Sequence, residues 1–217
     1  MMMCHNAADF PQGRAWIELD RSALLHNVRV LRALLPKGCE LMPAVKANAY
    51  GHGAALVAGE LQRAGIGSFC VASAAEAVEL RKAGITGEIL ILGYTHPRQF
   101  SLLRHFHLTQ TVLDHDYAEL LNRSGRKIDV HIKIDTGIHR LGERCEHIDH
   151  LKKIFSCENL RITGAYTHLC TSDKSSPREE AFVSVQTHAF YEAIAKLREQ
   201  GCVCPKVHVL ASYGLVN

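Results

Sequence analysis

Short apolar or β-branched runs alternate along this chain with longer amphipathic stretches, and that alternation predicts repeated strand–helix units on a parallel sheet. Strands are expected near 40–46, 68–72, 88–93, 108–113, 128–134, 161–168 and 206–211. An extended segment, Ala15-Trp16-Ile17-Glu18-Leu19-Asp20, precedes them. Ser22 is placed to cap a helix running to about Leu35, which Pro36-Lys37-Gly38 would close. The stretch Ala74–Ala83 stops at Gly84, and glycine is the usual residue just past a helix. A long helix over about 177–200 carries Pro177 in its first turn and ends at Gly201. Seven strands alternate with six helices, whereas a closed barrel of this kind needs eight of each. Periodicity alone fits an open doubly wound sheet as well as an incomplete barrel.

Composition narrows the class without naming a function. At 217 residues the chain is long enough for one domain with a sizeable core. The opening Met1-Met2-Met3-Cys4-His5-Asn6 lacks the basic and apolar regions of a signal peptide. Residues 1–12 are therefore expected to be a disordered lead-in, and 13–217 a single domain without linker or repeat. A net charge of +3, evenly spread, gives no reason to expect a nucleic-acid partner. No apolar run approaches the ~18 residues of a membrane span, and the expected location is cytoplasmic, as a free protein or as the cytoplasmic domain of a membrane-anchored parent. Of the eight cysteines only Cys202 and Cys204 lie close together, with no second half-site at zinc spacing. Reduced thiols and no metal are the expectation. The pairs His105/His107 and His147/His150 read as surface residues.

The candidate chemistry sits at strand ends. Lys46-Ala47-Asn48-Ala49-Tyr50-Gly51-His52-Gly53 follows the strand Leu41-Met42-Pro43-Ala44-Val45. It places an ammonium at the carboxyl edge, where barrel enzymes keep their catalytic side chains. Such a lysine can form a Schiff base with a carbonyl cofactor, and Gly51 and Gly53 permit a sharp turn into the next helix. Taken alone, Lys46 also fits a lysine snorkelling from a turn. Three further segments end strands in the same way: His131-Ile132-Lys133-Ile134-Asp135-Thr136-Gly137-Ile138-His139-Arg140-Leu141-Gly142, Gly164-Ala165-Tyr166-Thr167-His168 and Val207-His208-Val209-Leu210-Ala211-Ser212.

Together with Trp16–Asp20, these four ordered segments closely resemble the N-terminal domain of the alanine racemase family, and the likeness covers nearly the whole chain. It implies a TIM-type (β/α)8 barrel, cut after about the seventh strand, with the extended 15–20 segment belonging to a C-terminal β domain. It also implies pyridoxal 5'-phosphate as cofactor and racemisation of a small amino acid, alanine or serine, supplying D-amino acids for cell-wall peptidoglycan. By the same resemblance Lys46 holds the cofactor, Tyr50 and Ser212 contact its phosphate, and Arg140 faces its phenolic oxygen. His168 supports the ring, and Lys133 occupies a position that many members carry as a carbamylated lysine. Ser212-Tyr213-Gly214-Leu215, with Ala211 in place of a common asparagine, is closer to the racemase domains of membrane-anchored serine/alanine racemases from glycopeptide-resistance systems. The family's second base is a tyrosine of the β domain of a partner subunit. A homodimer is therefore expected of a full-length protein, and little or no racemase activity of residues 1–217 alone. Read from the residues, Arg140 could instead be a surface partner of Asp135 or Glu143, Tyr50 a packed aromatic and His168 a buried histidine. A non-catalytic pyridoxal-phosphate-binding homeostasis protein on the same barrel is the second reading, and a decarboxylase on a related barrel the third.

Overall fold

The computed structural model describes residues 16–170 and 176–210, so the lead-in, Ala211 and Ser212 lie outside the described residues. Six strands form a parallel sheet: β1 (Ser68–Val71), β2 (Glu88–Ile91), β3 (Thr109–Val112), β4 (Ile128–Asp135), β6 (Leu160–His168) and β7 (Lys206–Leu210). Their spatial order repeats their chain order, and every neighbouring pair is parallel. A doubly wound sheet would reverse direction at a switch point, so the order selects the barrel arrangement. The expected first strand, 40–46, shrinks to a bridge beside β1. There Cys70 N–H donates to the Pro43 carbonyl and Val45 N–H to that of Cys70, both at 2.8 Å. Pro43 has no N–H to give, which limits how far the ladder extends. A two-residue strand, β5 (Glu143–Arg144), adds to the end of β4.

Helices fill the crossovers. α1 (Arg21–Leu34) precedes the sheet, followed by α3 (Ala54–Arg63), α4 (Ala74–Lys82), α5 (Phe100–His105), α6 (His115–Asn122), α7 (Ile148–Ile154) and α8 (Pro177–Glu199). The cap of α1 is Asp20 rather than Ser22. Its carboxylate accepts from Ser22 and Ala23 N–H at 2.7 and 3.1 Å, which leaves Ser22 inside the first turn. In α8, Ser176 and Glu179 form a reciprocal capping box ahead of Pro177. Trp16 and Ile17 have no regular structure and are 60% and 65% exposed, an unburied apolar pair ahead of α1.

Both faces of the sheet are buried, as a barrel wall requires. Phe69, Val71, Ile89, Ile91, Val130, Ile132 and Ile134 point outward and pack with helix residues such as Leu80, Leu103, Leu121 and Leu151. The alternate positions point inward, where Cys70, Leu90 and Tyr166 make a small apolar cluster. Around it lies a polar network. His131 Nδ1 and His208 Nε2 are 2.9 Å apart, the Tyr166 ring stacks on His208, and its hydroxyl meets Thr111 Oγ1 at 3.1 Å. Lys206 Nζ donates to Glu88 Oε2 at 2.7 Å. His131 Nε2 stands 3.0 Å from Glu88 Oε1 but off the line of a hydrogen bond. His131, opposed by burial and helped by Lys206, holds the Glu88 carboxyl down to about 2. Burial, then the His131 charge, pushes His208 down to about 3, which keeps it neutral. A side chain at Gly164 would come within 2.8 Å of the His131 ring, so only glycine leaves room for this network.

The Lys46 segment does not run directly into a helix. Lys46–Tyr50 (α2) is a single left-handed turn, with Ala47, Asn48, Ala49 and Tyr50 at φ of 51–55°. This conformation costs an L-residue roughly 1–2 kcal/mol, and four in succession need outside support. Glu76 supplies it. The Ser73-Ala74-Ala75-Glu76 spacing predicts a capping box, and Ser73 Oγ does accept from Glu76 N–H. The Glu76 carboxylate reaches elsewhere: Oε1 accepts from Ala47 N–H at 2.9 Å and Oε2 from Ala72 N–H at 2.7 Å. Asn48 Oδ1 then caps α3 through Ala54 N–H at 2.8 Å, with Gly51 and Gly53 at φ of 94° and 90° between them. Lys46 is thereby held at the carboxyl edge by a carboxylate of the next crossover. Glu76→Ala removes both charge-assisted bonds and should cost about 2 kcal/mol, lowering Tm by about 4–8 °C in a thermal melt.

Candidate active site at the carboxyl edge of the sheet

Five of the six predicted site residues belong to one end of the sheet. Lys46 leaves the segment before β1, Lys133 lies near the end of β4, Arg140 on the loop after it, and His168 closes β6. Burial, then the charges of Arg140, Lys133 and Lys46, lower His168 below the usual imidazole value, so all three cations act on one ring. Tyr50 belongs to the same corner, 62% exposed on the left-handed turn, and is not a packed aromatic. Ser212 lies outside the described residues. β7, which leads to it, is the neighbour of β6.

The loop that carries Arg140 is built around Asp135. This carboxylate is 5% exposed. Its Oδ1 accepts from the N–H groups of Gly137, Ile138 and His139, each at 3.1 Å, and Oδ2 lies 3.0 Å from His139 Nδ1. Burial raises its pKa, but the bonds from Gly137 and His139 outweigh that, and the net shift is downward. Gly137 at φ 134° and His139 at φ 51° are the turns that allow one carboxylate to collect three successive donors. Asp135 is thus spent on the loop backbone. Glu143 is spent on His147, at 2.9 Å from its Nδ1. Among the described residues no carboxylate pairs with Arg140 or Lys46, so the surface-ion-pair alternative for Arg140 does not hold.

Lys133 is 5% exposed, with its Nζ 5.4 Å from the centre of the Tyr166 ring and 3.5 Å from the Ile134 carbonyl. Burial first, then the Arg140 charge, bring its amine down to about 8 against the pull of Asp135. Gly142 fixes its stem, since a Cβ there would sit 2.7 Å from Lys133 Cγ. The result is a cationic rim at the mouth of a polar-lined interior, with an excess of positive charge and one amine that gives up its proton readily. Such a rim suits an anionic ligand that also carries an electrophilic carbon. Two positioning residues escaped the motif reading, Glu76 and Gly142. The Ser73-x-x-Glu76 spacing was the available signal for the first, although it pointed to a different bond.

Lys133 also carries a pH prediction. In the fold its proton leaves near pH 8, while an unfolded lysine keeps it to the usual 10.5. The folded state therefore binds fewer protons between those values, so stability from this group rises with pH across that window and is lowest below pH 8. In buffer stripped of carbon dioxide, Lys133→Met should stabilise the chain by about 2–3 kcal/mol at pH 7. That gain should vanish by pH 10.5 in urea titrations at both values.

Comparison with known proteins agrees with this geometry. The sequence model of the alanine racemase N-terminal domain matches residues 19–217. An amino-acid racemase of Enterococcus faecalis is 42% identical over 94% of this chain and 29% of its own length. A serine/alanine racemase of Enterococcus gallinarum is 37% identical over 95% of this chain and 30% of its own, which accords with the likeness drawn from Ser212–Leu215. Among solved structures, an alanine racemase of Clostridium difficile 630 superposes with a TM-score of 0.85 at 31% identity, covering 90% of this chain and 55% of that one. The chain thus spans about a third to a half of the length of its relatives. It belongs to the alanine racemase family, as an N-terminal barrel domain.

Proposed function

We propose that this chain is the cofactor-binding barrel of a pyridoxal-phosphate-dependent amino-acid racemase acting on alanine or serine. The observation that carries this reading is the cationic rim of Lys46, Lys133 and Arg140 around His168, whose nearest buried acid is committed to backbone N–H groups. Those residues fit the cofactor's charge: Arg140 and the Tyr50 hydroxyl are donors for its phenolic oxygen and its phosphate, and Ser212 is a second phosphate donor. When bound, pyridoxal phosphate supplies an electron sink for charge developing at the substrate Cα.

The chain's residues divide the remaining work. Lys46 would offer the carbonyl-reactive amine that holds the cofactor, and the same amine would serve as the base that moves the Cα proton on one face. Arg140 stays protonated throughout, so it stabilises an oxyanion without exchanging its proton. His168, its pKa lowered by burial first and then by the charges of Arg140, Lys133 and Lys46, would back the ring. Lys133, deprotonated in part near neutrality, is a nucleophile for carbon dioxide. The resulting carbamate would replace the Lys133–Arg140 repulsion by attraction. The whole protein would act as a cytoplasmic or membrane-anchored homodimer whose partner subunit supplies the second base, making D-amino acids for peptidoglycan.

Titration with pyridoxal phosphate should give an amine–carbonyl absorbance band in the wild type that is absent in Lys46→Ala. An unchanged band in the variant removes Lys46 from the role. In ¹³C NMR with labelled bicarbonate, a slowly exchanging carbamate signal should appear in the wild type and be lost in Lys133→Met. A spectrum indistinguishable between the two would leave Lys133 as a plain ammonium.

A further inference from the structure

Just beyond the Arg140 loop, on the outer side of the sheet's end, Glu143 of β5 meets two histidines at the start of α7. Glu143 is 8% exposed, whereas the two histidines stand largely in solvent. Its Oε1 lies 2.9 Å from His147 Nδ1 and 3.6 Å from His150 Nδ1, and the three donor atoms fall within 4.8 Å of one another. We infer that Glu143, His147 and His150 form a binding site for a first-row divalent transition metal, zinc or its close relatives cobalt and nickel.

The geometry favours a metal over a plain ion pair. Bonds of about 2.1 Å in a tetrahedral site put neighbouring ligand atoms about 3.4 Å apart. The two oxygen–nitrogen separations bracket that value. Both imidazoles present the same ring nitrogen to the same oxygen, yet only His147 comes within hydrogen-bonding distance of it, His150 standing off at 3.6 Å. A cation at their common centre bonds all three at once. The donor set, two imidazole nitrogens and one carboxylate oxygen, suits zinc, cobalt or nickel and is poor for magnesium or calcium, which prefer oxygen. The His147 and His150 side chains are 44% and 53% exposed, so the ion has a path in and solvent can complete its shell.

The fold prepares the floor of the site. Glu143 pairs in register with Ile134 of β4, and His115 N–H approaches its Oε2 at 3.4 Å from the start of α6. The ring of His115 stands 6.2 Å from that of His150 and closes the third side. The positive end of α7 opposes a cation here, but Asp149 in the first turn offsets it. A bound ion would tie β5 to α7 three residues beyond Arg140, clamping the base of the loop that carries the guanidinium.

Cobalt(II) titration of the chain, followed by the visible d–d bands and by competition with a chromophoric chelator, tests this directly. One equivalent should bind, zinc should displace it and a large excess of magnesium should not. His147→Ala and His150→Ala, both at exposed positions, should each weaken binding at least tenfold, and Glu143→Gln should do the same. His105→Ala/His107→Ala, a histidine pair away from the site, should leave the affinity unchanged. Absence of stoichiometric binding overturns the inference. So does equal weakening by the control pair, which would mark a general affinity of a chain with 14 histidines.

Discussion

The position of Lys46 depends on an unfavourable stretch of backbone held in place by one carboxylate. Four consecutive L-residues in the left-handed region have no intrinsic reason to stay there. Glu76 grips Ala47 N–H from one side and Ala72 N–H from the other, joining the turn to the β1–α4 connection. The turn fixes the backbone from which the Lys46 side chain departs. The strain is local, the restraint comes from the following crossover, and Lys46 lies between them.

Beneath the rim the barrel interior is more polar than its wall. Glu88, His131, His208, Thr111 and Tyr166 occupy inward positions on neighbouring strands, where His131 pairs with His208 and Thr111 with Tyr166, while His131 Nε2 and His208 Nδ1 are left without a hydrogen bond. The outward positions carry the aliphatic load against the helices. This division lets the sheet be rigid from outside while its inner surface carries charge and hydrogen bonds that an apolar filling could not. The interior then holds polar side chains in fixed orientation close to the cationic end.

Much of this was legible in the sequence, for identifiable reasons. Strand positions could be read because each wall strand is apolar on its outward residues and bounded by glycine, proline or a cap. Lys46, Lys133, Arg140 and His168 could be read as site candidates because each sits at or just past a strand end and lies within a recognisable segment. The winding of the sheet could not be read from periodicity, since barrel and open sheet bury their strands alike. It became plain only from the order of pairing. Asp20 took the cap expected of Ser22 because a carboxylate one position outside the first turn reaches two N–H groups. The role of Glu76 escaped because its second partner, Ala47, is 29 residues away, beyond any local rule. The Glu143 cluster escaped for a similar reason: His147 and His150 look like ordinary surface residues until β5 brings a buried carboxylate beneath them.

The strictly sequential pairing of β1, β2, β3, β4, β6 and β7 has a consequence for biogenesis. No strand has to be threaded between two that already exist. A ribosome releasing this polypeptide from its amino end therefore delivers each new strand beside an edge that has just been laid down, and the wall can grow by vectorial accretion while synthesis continues.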